Sequence, residues 1–282
     1  MGGNSLATRK LSAAWNLARR KPFVFLRNSS STALGIFLSA LMRIRTLYRL
    51  TCARLLLWKH QAKGKVPSKD GVIAITVSTN YHEFLRYCID ANLEKVDHWI
   101  VVTSNDDCET ISLLEKHGKI EMLFWNPTRQ GRTFDKGGGL KLGQNFAHSK
   151  YPGRWYLILD SDICLPPEFH FAPGLFDELE IGSIYGASRR DFYTKEDFIE
   201  RKNSHNYQEL GNPGYGTGNA VGYFQLYALP LYYSHSRTAA YCDIQFRNKF
   251  LKSSLIPNLV VDHLGSPGNW NGKGNTAVGW ER

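Results

Sequence analysis

Residues 155–166 read Trp-Tyr-Leu-Ile-Leu-Asp-Ser-Asp-Ile-Cys-Leu-Pro. The first five are uninterruptedly apolar, which suits a strand buried on both faces. The run stops at Asp160 and Asp162, with Ser161 between them. Two carboxylates at the end of a buried strand repel each other and lose hydration. A hard divalent cation removes both costs and leaves coordination positions for phosphate oxygens. A solvated turn is the plainer alternative, because Asp and Ser are ordinary turn residues. The hydrophobic strand before the acids and the Leu-Pro after them favour the cation.

Toward the N-terminus, strands and helices alternate. Val72–Ser78 is a β-branched run, His82–Leu93 has helical spacing through Phe84, Leu85, Cys88 and Ile89, and His98–Thr103 is a second strand. Cys108–His117 reads as a helix, Ile120–Trp125 as a short strand, the segment with Pro127 and Gly131 as a loop, and Leu140–His148 as a helix. This order predicts an α/β fold with a mostly parallel central sheet and helices on both faces. In such sheets ligands bind beyond the carboxyl ends of the strands.

Charge divides the chain. Thirteen of the 35 Lys and Arg fall in residues 1–65 and none of the 25 Asp and Glu does, so residues 66–282 carry 22 basic against 25 acidic side chains. The body therefore has no basic track for nucleic acid, which is excluded as a partner. Residues 1–65 read as a basic helical arm and linker, and residues 66–282 as the functional domain. Within the arm, Leu34, Phe37, Leu41, Ile44, Tyr48, Leu55 and Trp58 recur at helical steps from Thr32 to Trp58, while Lys59–Gly71 reads as linker. Asn28–Met42, the longest uncharged run, falls short of the roughly 20 residues a spanning helix needs. No signal-peptide cleavage pattern follows it, and Leu6 breaks the myristoylation pattern. Three readings stay open: residues 1–58 on an anionic membrane surface, the arm packed on the body or a partner, or an organelle-targeting segment. The first would station a cytoplasmic protein at the inner face of a membrane. Cys52, Cys88, Cys108, Cys164 and Cys242 show neither metal-ligand spacing nor a disulfide framework, and read as reduced thiols.

Other candidate residues sit where elements end. Asp135-Lys136-Gly137-Gly138-Gly139 opens a helix with glycine N–H groups and a positive charge, a cradle for phosphate or ribose. Gly214–Asn219 precedes the strand-like Val221–Ala228, where Asn219 and Gln225 are placed to bond sugar hydroxyls and Gly218 to allow close approach. Asp243 stands at the start of an expected helix, so that an N-cap competes with a chemical role. His263 follows a β-branched strand and precedes Gly-Ser-Pro-Gly, with Asp262 beside it as a second side chain of metal-ligating type. The remaining body histidines, His82, His98, His117, His148, His170, His205 and His235, show no spacing that suggests a site.

Together these segments resemble the glycosyltransferase A-type fold over about residues 71–265, and the His-Leu-Gly with Asn-Trp-x-Gly-Lys resembles a C-terminal element of bacterial envelope sugar transferases. The resemblance implies transfer of a sugar from a nucleotide-diphosphate sugar to a glycan or lipid-linked acceptor, with Mn²⁺ or Mg²⁺ as cofactor. It implies that Asp160, Asp162 and His263 hold the metal, and that Ser78, Thr79 and Asn80 seat the base. Asp106 or Asp107 would contact base or ribose, while Asp135, Lys136, Gly139, Ser161 and Lys273 meet the donor. Gly218, Asn219 and Gln225 would face sugar and acceptor. Asp243 becomes the general base of an inverting displacement, with retention left open. The element at 135–139 departs from the family's Asn-Lys-Gly-x-Ala-x-Asn by its Asp and its glycine run. A sugar-1-phosphate nucleotidyltransferase is the rival reading, though Ser78-Thr79-Asn80-Tyr81 lacks the expected glycine-rich loop; a non-catalytic carbohydrate-binding module is the other.

Overall fold

The Val-Ile-Ala-Ile-Thr-Val run forms β1 (Val72–Val77), buried along its whole length. Its alternate side chains feed two cores: Val72 and Ala74 face one, Ile73, Ile75 and Val77 the other. The computed structural model describes residues 32–62, 67–69, 71–127, 134–203, 212–213, 218–236 and 238–265. After β1 come α2 (His82–Asn92), a 3₁₀ turn (Leu93–Lys95), β2 (His98–Thr103), α3 (Cys108–Leu114) and β3 (Ile120–Phe124). Then follow α4 (Lys136–Lys150), β4 (Trp155–Leu159), β5 (Ile163–Cys164), α5 (Pro173–Asp177), β6 (Ser183–Phe192) and α6 (Lys195–Asn203). The last elements are β7 (Asn212–Pro213), β8 (Phe224–Tyr227), α7 (Ala239–Arg247) and β9 (Lys252–Leu264).

The strands form one sheet in the order β3-β2-β1-β4-β8-β6-β9-β5, with β7 on β6. The first four are mutually parallel, as the alternation predicts. Beyond β4 the sheet is mixed: β8 is antiparallel to β4 and β6, β9 is parallel to β6, and β5 is antiparallel to β9. The architecture is thus α/β, a mostly parallel sheet with helices against it. Helix α4 lies close on the sheet because it lacks side chains there. A Cβ at Gly143 would come within 2.6 Å of Ile75 Cγ2, and one at Gly139 within 2.9 Å of Val77 Cγ2.

The chain separates into two compact units, Met1–Cys52 and Ala53–Arg282. Helix α1 (Thr32–Ala62) runs 31 residues, about 46 Å at 1.5 Å per residue. It takes in the Thr32–Trp58 periodicity and continues through Lys59–Ala62, which the sequence assigned to the linker. Among the described residues no helix is long and apolar enough to cross a membrane. Residues 1–31, Gly131, Gly214–Thr217 and the C-terminal segment with Lys273 lie outside the described residues.

Candidate active site

The sheet's mixed half brings later segments back to the end of β4. Asp160 continues the β4–β8 ladder, its N–H donating to Tyr223 O at 3.0 Å. Its carboxylate meets the Lys136 ammonium, with Nζ 2.7 Å from Oδ1 and 3.0 Å from Oδ2. Lys136 Nζ also lies 3.4 Å from Asp243 Oδ2. Burial alone would push Lys136 down, but Asp160 and Asp243 outweigh it and hold the ammonium above its usual range. Asp160 is pushed up to about 6, chiefly by removal from water; Lys136 opposes the rise, and Asp162 and Asp243 add to it.

Asp243 is not an N-cap. It lies mid-way along α7, whose cap is Thr238, with Oγ1 accepting from Tyr241 N at 3.3 Å. Asp243 Oδ1 accepts from Tyr233 Oη at 3.1 Å, and its Oδ2 occupies space that a Cβ at Gly222 would need, 1.8 Å away. Gln225, expected at the sugar, is instead fully buried beneath this acid. Its Oε1 accepts from Tyr233 Oη, and its Nε2 lies 3.5 Å from the Asp243 carbonyl. It supports Asp243 and has no surface for a ligand.

Asp162 turns the other way. Its carbonyl accepts from Leu264 N at 2.8 Å, which docks the acid against β9. Oδ2 lies 3.5 Å from His263 Nε2, and Oδ1 is buried with no hydrogen-bond partner among the described residues. Behind it, His263 Nδ1 is 2.9 Å from Asp191 Oδ1, and Arg189 Nε is 3.1 Å from the same oxygen. Burial would lower His263, but Asp162 and then Asp191 overcome that and push it up to about 9, with Arg189 opposing. Helix α2 fixes the segment after Asp162 from below. Asn92 Nδ2 donates to Ile163 O and Asn92 Oδ1 accepts from Leu165 N, both at 2.7 Å, while Lys95 Nζ donates to the Leu165 and Pro166 carbonyls.

Asp160, Ser161 and Asp162 line a cleft with Thr79, Tyr81 and Lys136. The cleft has a volume of about 50 Å³. Ser78 Oγ and Thr79 Oγ1 at the end of β1 are buried without hydrogen-bond partners among the described residues. A larger cavity of about 270 Å³ lies between α2, α6 and the segment after β5, away from the paired acids.

Several expected ligand contacts are closed. Asp107 caps α3: Oδ1 accepts from Thr110 N at 3.2 Å, and Oδ2 from Asn80 N at 2.7 Å. Asn80 itself is in the left-handed region, φ 58°. Asp106 stays at the surface, accepting from Ser104 Oγ. The cradle at 135–139 is filled by its own residues. Asp135 caps α4 from Oδ1 to Gly138 N at 3.2 Å, and its carbonyl takes Gly138 N and Gly139 N. Gly139 packs beneath Val77 and Trp125 and is buried. Asp135 Oδ2 also meets His235 Nδ1 at 2.6 Å, a pairing the histidine spacing did not disclose. Asp262 is unsuited to a metal, because Arg201 holds its carboxylate in a buried ion pair. Gly218, φ 66°, and Asn219 are exposed. Val221–Ala228 contributes a strand only over Phe224–Tyr227.

Sequence reasoning missed Asp191, Arg189, Tyr233 and Arg201. The available signal was Arg-x-Asp in β6, whose period of two puts both side chains on one face. Among the described residues no group of three His, Cys, Asp or Glu is placed to hold a metal ion. Asp160 is turned to Lys136, so Asp162 Oδ1 and His263 Nε2 are the donors nearest to such a role. Asp162 fits Mg²⁺ or Mn²⁺ arriving with a diphosphate, since Mg²⁺ takes one or two carboxylates and completes its shell with phosphate oxygens and water, and His263, raised to about 9, would join only on giving up its Nε2 proton.

No family model matches the chain, and neither does any curated protein sequence. Among solved structures it is similar to a nucleotidyl transferase from Methanothermobacter, at 11% identity over 70% of this chain and 88% of that one, TM-score 0.36. It is also similar to 4-diphosphocytidyl-2C-methyl-D-erythritol synthase from Anaerococcus prevotii, at 16% identity over 46% of this chain and 57% of that one, TM-score 0.24. A further structure of a synthase of that name aligns at 13% identity over 56% and 73%, TM-score 0.33. Overlaps this loose assign no activity to the chain.

Proposed function

We propose that this protein is a glycosyltransferase that moves a sugar from a nucleotide-diphosphate sugar to a glycan or lipid-linked acceptor with the help of Mn²⁺ or Mg²⁺. The observation that carries the reading is Asp162: a buried carboxylate at the carboxyl edge of the parallel strands, with one oxygen that no described residue partners, facing a cleft beside His263. A buried charged group with an unmet oxygen is costly in a folded chain unless something else satisfies it. Asp162 and His263 would hold the cation, joined by Asp160 once it leaves Lys136. When bound, the cation supplies positive charge where the departing diphosphate accumulates negative charge. The unpartnered hydroxyls of Ser78 and Thr79 offer donors to the nucleoside. Asp243 is the base: as the acceptor oxygen bonds to the anomeric carbon and the bond from that carbon to the diphosphate oxygen breaks, the acceptor proton passes to the Asp243 carboxylate. Lys136 holds that carboxylate in place between strand and helix. We also infer that the acid-free arm meets an anionic membrane surface.

The test is a thermal-shift panel of nucleoside diphosphates and their sugars, with and without Mn²⁺, followed by an assay of sugar consumption. A ligand that binds only the folded chain raises the melting point by mass action. One nucleotide class should shift it only with Mn²⁺, and Asp162→Ala should abolish both the shift and the turnover. Turnover of a nucleoside triphosphate with a sugar 1-phosphate would replace this reading by nucleotidyl transfer. A shift without turnover of any sugar donor would reduce the protein to a binding module.

A further inference from the structure

We propose that Asp191 is a positioning residue, which holds the His263 imidazole by Nδ1 so that Nε2 faces Asp162 and the cation bound there. The inference rests on the reading of the cleft given above. It starts from strand register: β6 and β9 run parallel with Asp191 opposite His263 and Arg189 opposite Val261. Residues 189 and 191 share one face of β6 by the two-residue period. The result is a buried row, Arg189 Nε to Asp191 Oδ1 at 3.1 Å and Asp191 Oδ1 to His263 Nδ1 at 2.9 Å. None of these three side chains is more than 6% exposed.

The two halves of the row differ. On the inner side a carboxylate sits between a guanidinium and an imidazole, so its charge is compensated and its place fixed. On the outer side His263 Nε2 and Asp162 Oδ2 stand 3.5 Å apart, and among the described residues Asp162 Oδ1 has no hydrogen-bond partner. What singles out the outer side is that this oxygen belongs to a carboxylate lining the cleft. An imidazole with one nitrogen committed to a carboxylate presents the other in a defined direction, and such a partner also makes it the stronger ligand.

The test uses the full chain with Mn²⁺ as probe, binding being read from the loss of the free-ion EPR signal in the presence of a nucleoside diphosphate. Asp191→Asn is expected to weaken Mn²⁺ binding roughly 10–100-fold. The double variant with His263→Ala should bind no more weakly than His263→Ala alone, because Asp191 acts through the ring. Additive losses, or an Asp191→Asn affinity within about twofold of the native chain, overturn the proposal. Nitrogen-15 NMR of labelled histidine in the native chain gives a second readout. It should show a downfield Nδ1–H proton assigned to His263, lost in Asp191→Asn and retained in Asp162→Asn. Absence of that resonance from the native protein overturns the proposal even if Asp191→Asn does not fold. Should the native chain bind no Mn²⁺ with any nucleoside diphosphate, the cleft reading fails, and with it the cation role given to Asp191; the NMR comparison still decides whether Asp191 holds the ring.

Discussion

Lys136 carries its charge between two acids that lie on different elements, Asp160 after β4 and Asp243 within α7. Its side chain is 8% exposed, so without it both acids face each other across a poorly hydrated space. Removing one partner of a buried ionic cluster costs about 3–5 kcal/mol, more than the packing a same-sized apolar residue returns. Lys136→Met should therefore lower the unfolding free energy by about that amount in urea titrations at neutral pH. A loss under about 1 kcal/mol would mean that the acids find other partners. At this scale the sequence disclosed the acids more readily than their company. Asp160 and Asp162 stood out because carboxylates ending a buried apolar run are costly there, whereas Asp243 was picked out by the family resemblance. Lys136, read as a phosphate contact, turns to those same acids, because no spacing rule tells which charge a buried ammonium will meet. Asp191 was hidden for a simpler reason: it reaches His263 through strand register between distant segments.

Among the elements, α4 shows how a motif can be located correctly and understood in part. Its glycines were legible as a place where backbone is approached closely. What approaches is the sheet, through Ile75 and Val77, and the N-terminal N–H groups of Gly138 and Gly139 are taken by Asp135. Sequence reveals the missing Cβ and is silent about which neighbour fills the space. Strand β6 escaped notice, and of β9 only the β-branched end before His263 was read, because their alternation is broken. Their register shifts between Gly186 and Ser188, opposite a stretch of β9 that holds Pro257 and Asn258, the latter with φ 58°. Helix α1 was legible from its period alone, and its exposed Ile36, Phe37, Ile44, Leu47, Tyr48 and Leu55 extend the apolar stripe. If the arm works as an interfacial anchor, the full chain should sediment with vesicles containing anionic lipid and not with neutral ones, and a chain lacking residues 1–65 with neither. Equal binding by the truncated chain removes the arm from any membrane role.

For the molecule as a whole, the parallel half of the sheet was readable from buried runs, while of the mixed half only β8 and the end of β9 were. One consequence of their joining is a pH dependence of stability. His148, in the last turn of α4, packs against Tyr156 and Tyr232 at ring distances of 4.3 and 4.9 Å, and burial pushes it down to about 4. Its folded value is the depressed one, so the stability it contributes is whole above about pH 6.5 and is lost as pH falls toward about 4. The loss is on the order of 2 kcal/mol. The unfolding free energy of the native chain, compared with that of His148→Leu, should converge by that amount between pH 7 and pH 4.5; a constant difference would show that the ring takes up its proton without penalty. The place of β9 bears on how the protein is born. It lies between β6 and β5, yet it is made after both. A nascent chain emerging from the ribosome therefore carries two unsatisfied strand edges, and Asp162 without its histidine, until residue 264 is clear of the exit tunnel. The half-made protein is prone to stray strand pairing, and it stays so until nearly the last of its sheet has been translated.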